Sequence, residues 1–220
     1  MANTILQIIK VDPSYLDDIK SSFNDLPETD HADGSYRLRK YSRVAVSYKM
    51  PSGETWPKNI TEVEDLNVNT FTQSTKYNEH QGGMKRNFDG IDKAVLNSAG
   101  MCEMASVFRE GCKLGDYFTM DVHQMRVRCT GGATQLSPEG WHQDGYDCIA
   151  MIGVNRCNIF GGEILLSISK TEAPFLQAVM DSGTMVIVDD SHLWHNGRSI
   201  QPVINSKPAY MDAMVFTAKR

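Results

Sequence analysis

The feature of this chain that most restricts its fold is a succession of short, β-branched and apolar runs in the second half of the sequence. Short, turn-rich connections separate these runs, without intervening helices long enough for parallel crossovers. The pattern therefore predicts an antiparallel β-sandwich, a barrel or a jelly roll. The predicted strands are residues 117–128, 146–154, 163–169, 184–189, 192–200 and 209–218.

The first half of the chain has a different pattern. Leu16, Ile19, Phe23 and Leu26 recur at helical spacing and predict a helix over residues 13–26. The other elements expected there are an extended segment over 35–49, loops with short elements over 50–87, and one or two helices over 88–112 with a break near Gly100. These helices and loops are expected to pack on the strands of the second half.

Composition excludes several classes of partner. The net charge of −5 gives no electrostatic reason to expect a nucleic acid or an anionic membrane surface. No run of about 18 apolar residues is present, so no segment is expected to span a bilayer, and the start of the chain lacks the regions typical of a signal peptide. The five cysteines are an odd number without a CxxC pair, which argues against a disulfide framework or a thiolate zinc site. A reducing compartment, the cytoplasm, is therefore the expected location.

A group of potential metal ligands lies within the predicted strands. His142 and Asp144 are spaced i, i+2, so on an extended segment their side chains share one face. His192 and His195 follow a β-branched run about fifty residues later, and only one of them can face the same side of a strand. We favour His195, because Gly197 follows it closely. Two histidines and one carboxylate leave open positions on an iron(II) ion, and zinc accepts the same donors.

Longer blocks around these residues resemble a known family. The segment Pro138–Gly145 reads Pro-Glu-Gly-Trp-His-Gln-Asp-Gly, and Arg156–Glu163 reads Arg-Cys-Asn-Ile-Phe-Gly-Gly-Glu. An Asp-Asp pair at 189–190 precedes His195. These blocks resemble the 2-oxoglutarate/iron dioxygenases of the bacterial L-isoleucine hydroxylase type, over roughly residues 35–218.

The resemblance implies a fold, a chemistry and a ligand set. The expected fold is α+β and mainly β, with a double-stranded β-helix (jelly-roll, cupin-like) core and N-terminal helices packed on it. One domain, 1–220, would comprise a helical and loop elaboration, 1–115, and a metal-binding β-core, 116–220. The implied metal ligands are His142, Asp144 and His195. Iron(II), 2-oxoglutarate and O2 would then hydroxylate an unactivated C–H bond of a free amino acid or similar small molecule, although related enzymes desaturate or cyclise. A homodimer is a possible assembly.

One position departs from the family pattern. The family places an arginine in a Tyr-Arg-Asp block of the last core strand, where it pairs with the far carboxylate of 2-oxoglutarate. Here that block reads Tyr210-Met211-Asp212, and methionine cannot neutralise a carboxylate. We therefore hypothesise that Arg198 binds 2-oxoglutarate, with Arg126 as the next candidate. The alternative is an iron enzyme that does not use 2-oxoglutarate.

Other residues are candidates for substrate binding. Arg37, Arg39 and Arg86 could hold a substrate carboxylate, although solvated surface arginines are an equally ordinary interpretation. Trp141 and Trp194 lie beside proposed ligands and could wall the pocket, or serve in aromatic packing. A catalytically silent jelly roll that binds a small ligand or a protein is the alternative from a different functional class.

Overall fold

The computed structural model describes residues 6–49, 60–77 and 81–220. The helices are α1 (Ser14–Lys20), α2 (Lys93–Leu96) and α3 (Ala99–Cys112), and a 3-10 helix, Ser21–Asp25, follows α1. The strands are β1 (Leu6–Lys10), β2 (Arg37–Lys49), β3 (Ile60–Val68), β4 (Thr70–Phe71), β5 (Arg86–Asn87), β6 (Tyr117–Arg128), β7 (Cys148–Cys157), β8 (Ile159–Gly161), β9 (Glu163–Ser167), β10 (Leu176–Val179), β11 (Thr184–Asp189), β12 (Trp194–Gly197), β13 (Ile200–Pro202) and β14 (Tyr210–Ala218). Within the described residues, no helix is long and apolar enough to cross a bilayer.

A large antiparallel sheet forms the frame of the fold. Its seven strands are ordered β1-β11-β7-β14-β6-β2-β3. Because side chains alternate between the two faces of a strand, each strand contributes to two cores. On one face, Ile152, Met185 and Phe216 pack with Leu16 of α1 and Phe108 of α3. The helices therefore cover this face of the sheet.

The opposite face of the large sheet packs on a second layer of strands. That layer contains the three-stranded sheet β10-β9-β12 and the pair β13-β8. Val186 and Met211 of the large sheet contact a cluster that includes Ile164, Leu166 and Ile200 of the second layer. Two antiparallel layers packed face to face form the jelly-roll core that was expected, and the fold is mainly β.

The large sheet takes strands from both parts of the expected division into an elaboration over 1–115 and a β-core over 116–220. β1 pairs with β11 at one edge of the large sheet, and β2 pairs with β6. β3 follows β2 at the other edge and occupies part of the segment expected to be loops. Its side chains alternate, with Val63 buried between the exposed Glu62 and Glu64. Such an edge strand needs few apolar residues, so its composition resembles that of a loop.

The helical segment is interrupted near Gly100, as expected, although the glycine itself lies inside α3. The interruption lies at residues 97–98, where Ser98 caps α3 by accepting a hydrogen bond from the Met101 N–H at 3.1 Å. Gly100 lies inside α3, and a Cβ atom built on it would be 1.8 Å from the Tyr15 carbonyl oxygen. The glycine therefore permits the close approach of α1 to α3.

β7 contains an irregularity that matters for the site. Opposite β14, Asp212 pairs with Asn155 but Ala213 pairs with Gly153, so Val154 is an extra residue in β7. Such a β-bulge reverses the alternation of the residues that follow it. Residues of β7 beyond the bulge therefore face the opposite side from the one that simple alternation predicts.

Candidate metal centre and its cavity

The predicted metal ligands meet where two strand ends pair. His142 and His195 form an antiparallel bridge, in which each backbone N–H donates to the other residue's carbonyl, at 3.1 and 3.0 Å. The imidazole centroids are 4.1 Å apart. Asp144 completes the cluster, and the three side chains place their ligand atoms within 4.8 Å of one another. The structure thus brings together the three residues that the sequence selected.

Each imidazole ring is oriented through its Nδ1 atom. His142 Nδ1 lies 2.8 Å from the Gly140 carbonyl oxygen, to which it donates. His195 Nδ1 faces the Asp190 carboxylate at 3.6 Å. The Nε2 atoms then face Asp144, at 3.9 Å for His142 and 3.6 Å for His195. The Gly140 carbonyl oxygen fixes the orientation of the His142 ring, and the Asp190 carboxylate lies behind the His195 ring, so both Nε2 atoms remain available to a metal ion.

Asp190 organises the backbone that carries Asp144. Its carboxylate, which is 0% exposed, accepts hydrogen bonds from the backbone N–H groups of Asp144, Gly145 and Tyr146 at 2.8 to 3.1 Å. Burial and the charge of Asp144 raise the pKa of Asp190 to about 6. Asp190 therefore positions the backbone of Asp144, and its carboxylate also lies beside the His195 ring.

The preceding acid and histidine have a separate role. The Asp189 carboxylate accepts hydrogen bonds from Ser191 and lies 3.0 Å from His192 Nδ1. His192 is exposed to solvent and takes no part in the ligand cluster. His192 lies in the turn that precedes β12, whereas His195 lies on β12, so the two side chains reach different surroundings.

The ionisation of the cluster suits a divalent ion. Burial alone would raise the pKa of Asp144, but the hydrogen bond and charge of His195 lower it. Gln73 Nε2 also donates to Asp144 Oδ1 at 2.7 Å. Burial and the charge of His195 lower the pKa of His142. Two imidazoles and an ionised carboxylate are the donor set of open non-haem iron(II) sites, so the residues present fit this metal.

The cluster opens into a cavity between the two layers, with a volume of about 1110 Å³ counted with its open mouth. Two walls differ in character. The arginine wall consists of Arg37, Arg39, Arg86 and Glu139. The methionine wall consists of Met151, Ile164, Met180 and Met211.

Two of the arginines in the arginine wall have polar partners. Arg37 pairs with Asp33 at 2.6 Å and lies 3.6 Å from Glu139. Arg86 donates to Gln81 Oε1 at 3.1 Å. Arg37 and Arg86 are 9% and 5% exposed, so both guanidinium groups are buried despite their charge. A buried ion pair such as that of Arg37 with Asp33 contributes little net stability.

Arg39 differs from its two neighbours. It is 9% exposed and donates to the sulphur of Met125 at 3.4 Å, with its guanidinium 5.5 Å from the Phe88 ring centroid. Among the residues that the structure describes, no carboxylate lies within 4.0 Å of this guanidinium. Burial, followed by the charges of Arg37 and Arg86, lowers the pKa of Arg39 to about 9. The arginine wall therefore offers a carboxylate ligand a buried cation without an ion-pair partner.

The two arginines proposed to bind 2-oxoglutarate lie elsewhere. The Arg198 side chain is 52% exposed, donates to Gln177 and lies 3.3 Å from Glu163. Arg126 pairs with Asp212 at 2.6 Å on the helix-covered face of the sheet. Neither side chain lines the cavity. The alternation of side chains along β6 explains why Arg126 faces away from the cavity, because its neighbours Met125 and Val127 face it. The positions of Arg198 and Arg126 therefore give no support to the hypothesis that either one binds 2-oxoglutarate.

Trp141 and Trp194 also lie outside the cavity lining. Trp194 packs against the Lys170 ammonium, 4.9 Å from its ring centroid. Trp141 and Trp194 each immediately precede a ligand, so alternation turns them away from it. Sequence reasoning missed Gln73 and the cavity role of Glu139. Gln73 carries no local signal, whereas Glu139 lies in the same sequence block as His142.

Comparison with solved structures supports the fold. A bsmA homolog from Methylobium petroleophilum PM1 superposes with a TM-score of 0.76 at 18% identity, over 99% of this chain and 89% of that chain. IDO from Bacillus thuringiensis gives a TM-score of 0.72 at 18% identity, over 97% and 94%. The Fe(II)/(alpha)ketoglutarate-dependent dioxygenase TqaL gives 0.66 at 14% identity, over 97% and 82%. At these identities the similarity establishes the fold alone.

The sequence itself settles the family. No curated protein matches the chain. The family model described as 2OG-Fe dioxygenase, however, matches residues 20–217 and therefore nearly the whole sequence. Such enzymes use Fe(II), 2-oxoglutarate and O2 and act on small molecules, and the cluster of His142, Asp144 and His195 supplies the donors for the iron. The chain belongs to the 2OG-Fe dioxygenase family and is an enzyme.

Proposed function

We propose that this dioxygenase hydroxylates an unactivated C–H bond of a free amino acid or a close derivative, as enzymes of the L-isoleucine hydroxylase type do. The observation that carries the proposal is the arginine wall. It places a guanidinium without an ion-pair partner, that of Arg39, in the same cavity as the metal ligands. A buried cation of this kind favours a ligand that brings a carboxylate.

Glu139 adds a complementary recognition group. Its Oε2 atom is buried without a hydrogen-bond partner, 3.6 Å from Arg37 Nη1, and its Oε1 atom lies 3.7 Å from His142 Nε2. Although burial alone would raise the pKa of Glu139, the charges of Arg37 and His142 lower it, so the group is ionised. An α-amino acid would place its carboxylate on Arg39 and its ammonium group on Glu139. Both buried charges then gain partners.

The metal ligands, the arginine wall and the apolar lining of the cavity have separate roles in this proposal. The metal, with 2-oxoglutarate and O2, supplies the C–H oxidation. His142, Asp144 and His195 would hold the ion, and Asp190 keeps the Asp144 backbone in place. The arginine wall would aim the substrate's side chain at the metal by fixing its charged end. The apolar lining of the cavity excludes water from the reacting groups.

A substrate panel tests the proposal. Succinate formation from 2-oxoglutarate is measured with the iron-loaded enzyme and free L-amino acids, their amides and their deaminated analogues. We expect at least one free amino acid to stimulate succinate formation and to gain one oxygen atom, as seen by mass spectrometry. Its amide should be inactive because it lacks the carboxylate. Equal stimulation by acid and amide would refute carboxylate recognition.

Arg39→Met is expected to impair substrate binding selectively. Methionine keeps much of the arginine stem but removes the charge, and loss of a buried charge partner costs about 2–5 kcal/mol. The KM for the amino acid should therefore rise about 30-fold or more, with a smaller change in kcat. The matched control is Arg198→Met on the surface, which should leave both constants unchanged. A larger loss in Arg198→Met would contradict the assignment.

The cellular location is part of the same proposal. All five cysteines are free thiols in the structure. Free thiols favour a reducing compartment, and we place the enzyme in the cytoplasm on that ground.

A further inference from the structure

Four residues form a row across the large sheet on its cavity face. Arg37 on β2 pairs with Val127 on β6, Val127 pairs with Met211 on β14, and Met211 pairs with Arg156 on β7. Residues directly opposite one another on neighbouring strands project to the same face. An arginine thus lies at each end of this row, and Arg156 is the one beside the methionine wall.

The bulge in β7 is what turns Arg156 to this side. Ile149 and Met151 face the cavity, so uninterrupted alternation would send residue 156 to the helix-covered face with Ile152 and Val154. The extra residue, Val154, reverses the alternation, and Arg156 comes into register with the cavity-lining Met211. The position of this guanidinium could not be read from spacing along the sequence.

Arg156 lies just behind the cavity lining, and its contacts leave one end of its guanidinium directed at the lining residue Met211. Nη2 donates to the Gly161 carbonyl at 2.7 Å, and Nε lies 3.6 Å from Asp181. Nη1 instead approaches Met211 Sδ at 4.0 Å, and sulphur is a weak acceptor. A Cβ atom built on Gly162, which has a φ of +76°, would lie 3.0 Å from Nη1. Because Gly162 has no side chain, Nη1 of Arg156 is not blocked on that side.

The chemistry of 2-oxoglutarate calls for a cation at the lining of the cavity. One end of the molecule, the 2-oxo acid, chelates the metal, and the distal carboxylate must then be accommodated by the lining. Against the methionine wall an unpaired carboxylate would be costly. Arg37 is already paired with Asp33, and Arg39 belongs to the arginine wall rather than to the methionine wall. We infer that Arg156 binds the distal carboxylate of 2-oxoglutarate through Nη1, an inference that rests on the family's use of this co-substrate.

Comparison of two oxo acids tests this inference without turnover. Binding of 2-oxoglutarate and of 2-oxopentanoate, which has the same carbon chain but no distal carboxylate, is measured by calorimetry on the Mn(II)-loaded protein without oxygen. The native protein should prefer 2-oxoglutarate. Arg156→Met should weaken 2-oxoglutarate binding by about 30-fold or more and leave 2-oxopentanoate binding unchanged, because only the former loses an ion pair.

A control and a relocation sharpen the test. Arg198→Met should bind both oxo acids as the native protein does. Adding Met211→Arg to Arg156→Met returns a guanidinium to the same row from the neighbouring strand, and recovery of the preference for 2-oxoglutarate would support the inference. Equal weakening of both oxo acids by Arg156→Met, or loss of the preference in Arg198→Met, would overturn it. Native protein that binds Mn(II) but not 2-oxoglutarate would instead show that this chain does not use the co-substrate.

Discussion

His195→Ala is expected to abolish tight iron(II) binding and with it all oxidation by the enzyme. His195 supplies one of only three protein donors in the cluster, and its partners His142 and Asp144 cannot move to replace it because backbone hydrogen bonds fix both. Loss of a residue that merely orients a ligand costs about 10- to 100-fold in metal affinity. Loss of the ligand itself should exceed that range. The measurements are the anaerobic iron(II) dissociation constant and the rate of succinate formation.

His192→Ala is the matched control. It removes the same side chain three residues earlier, from an exposed position where the imidazole contacts Asp189 and Ser191. Iron binding and succinate formation should therefore match those of the native enzyme. If His192→Ala lost iron while His195→Ala retained it, the ligand assignment would be wrong.

Asp190→Ala should produce the largest loss of stability among the variants considered, together with weaker iron binding. The substitution leaves three partly buried backbone N–H groups, of Asp144, Gly145 and Tyr146, without their acceptor. Each such group costs about 1–3 kcal/mol, so the free energy of unfolding should fall by about 3 kcal/mol or more. The iron(II) dissociation constant should rise about 10- to 100-fold. Chemical denaturation of the metal-free protein and anaerobic titration measure the two effects.

Two further variants separate charge from architecture at Asp190. Asp190→Asn keeps the shape but turns a donor amide toward the backbone N–H groups, so it should also weaken iron binding. Asp189→Ala removes an adjacent carboxylate that contacts Ser191 and His192 instead, and it should have a smaller effect on iron affinity. Native iron affinity in Asp190→Ala would rule out its positioning role.

The metal ligands could be predicted because they depend on short-range spacing. The i, i+2 relation of His142 and Asp144 needs only the alternation of an extended chain, whereas the choice of His195 over His192 rests on the nearby Gly197 and on the resemblance to the family. The strands of the second half could be predicted for the same reason, and β6 and β11 have the predicted bounds. The sheet contributions of β1, β2 and β3 were harder to predict, because strand pairing joins residues that are distant in the sequence.

The arginines show where such reasoning fails. The direction of Arg126 follows from the register of β6, and that of Arg198 from an edge position beside Gln177. A slip of one residue reverses the face of a side chain, so neither direction follows from composition. The direction of the Arg156 side chain depends on the bulge in β7, and no single residue of β7 indicates that bulge. The local pattern thus identifies the metal site, whereas the charges around it depend on pairing between strands.

The backbone bridge between His142 and His195 has a consequence for how this enzyme tolerates changes in chain length. The two ligands are neighbours through mutual hydrogen bonds, so their spacing does not depend on the length of the chain that connects them. The exposed connection between β9 and β10, at residues 168–175, could therefore be lengthened without moving either histidine. Deleting a single residue between β11 and His195 would instead turn the imidazole to the wrong face. Natural variation in length, and engineered insertions, should accumulate in that exposed connection and be absent from the few residues before His195.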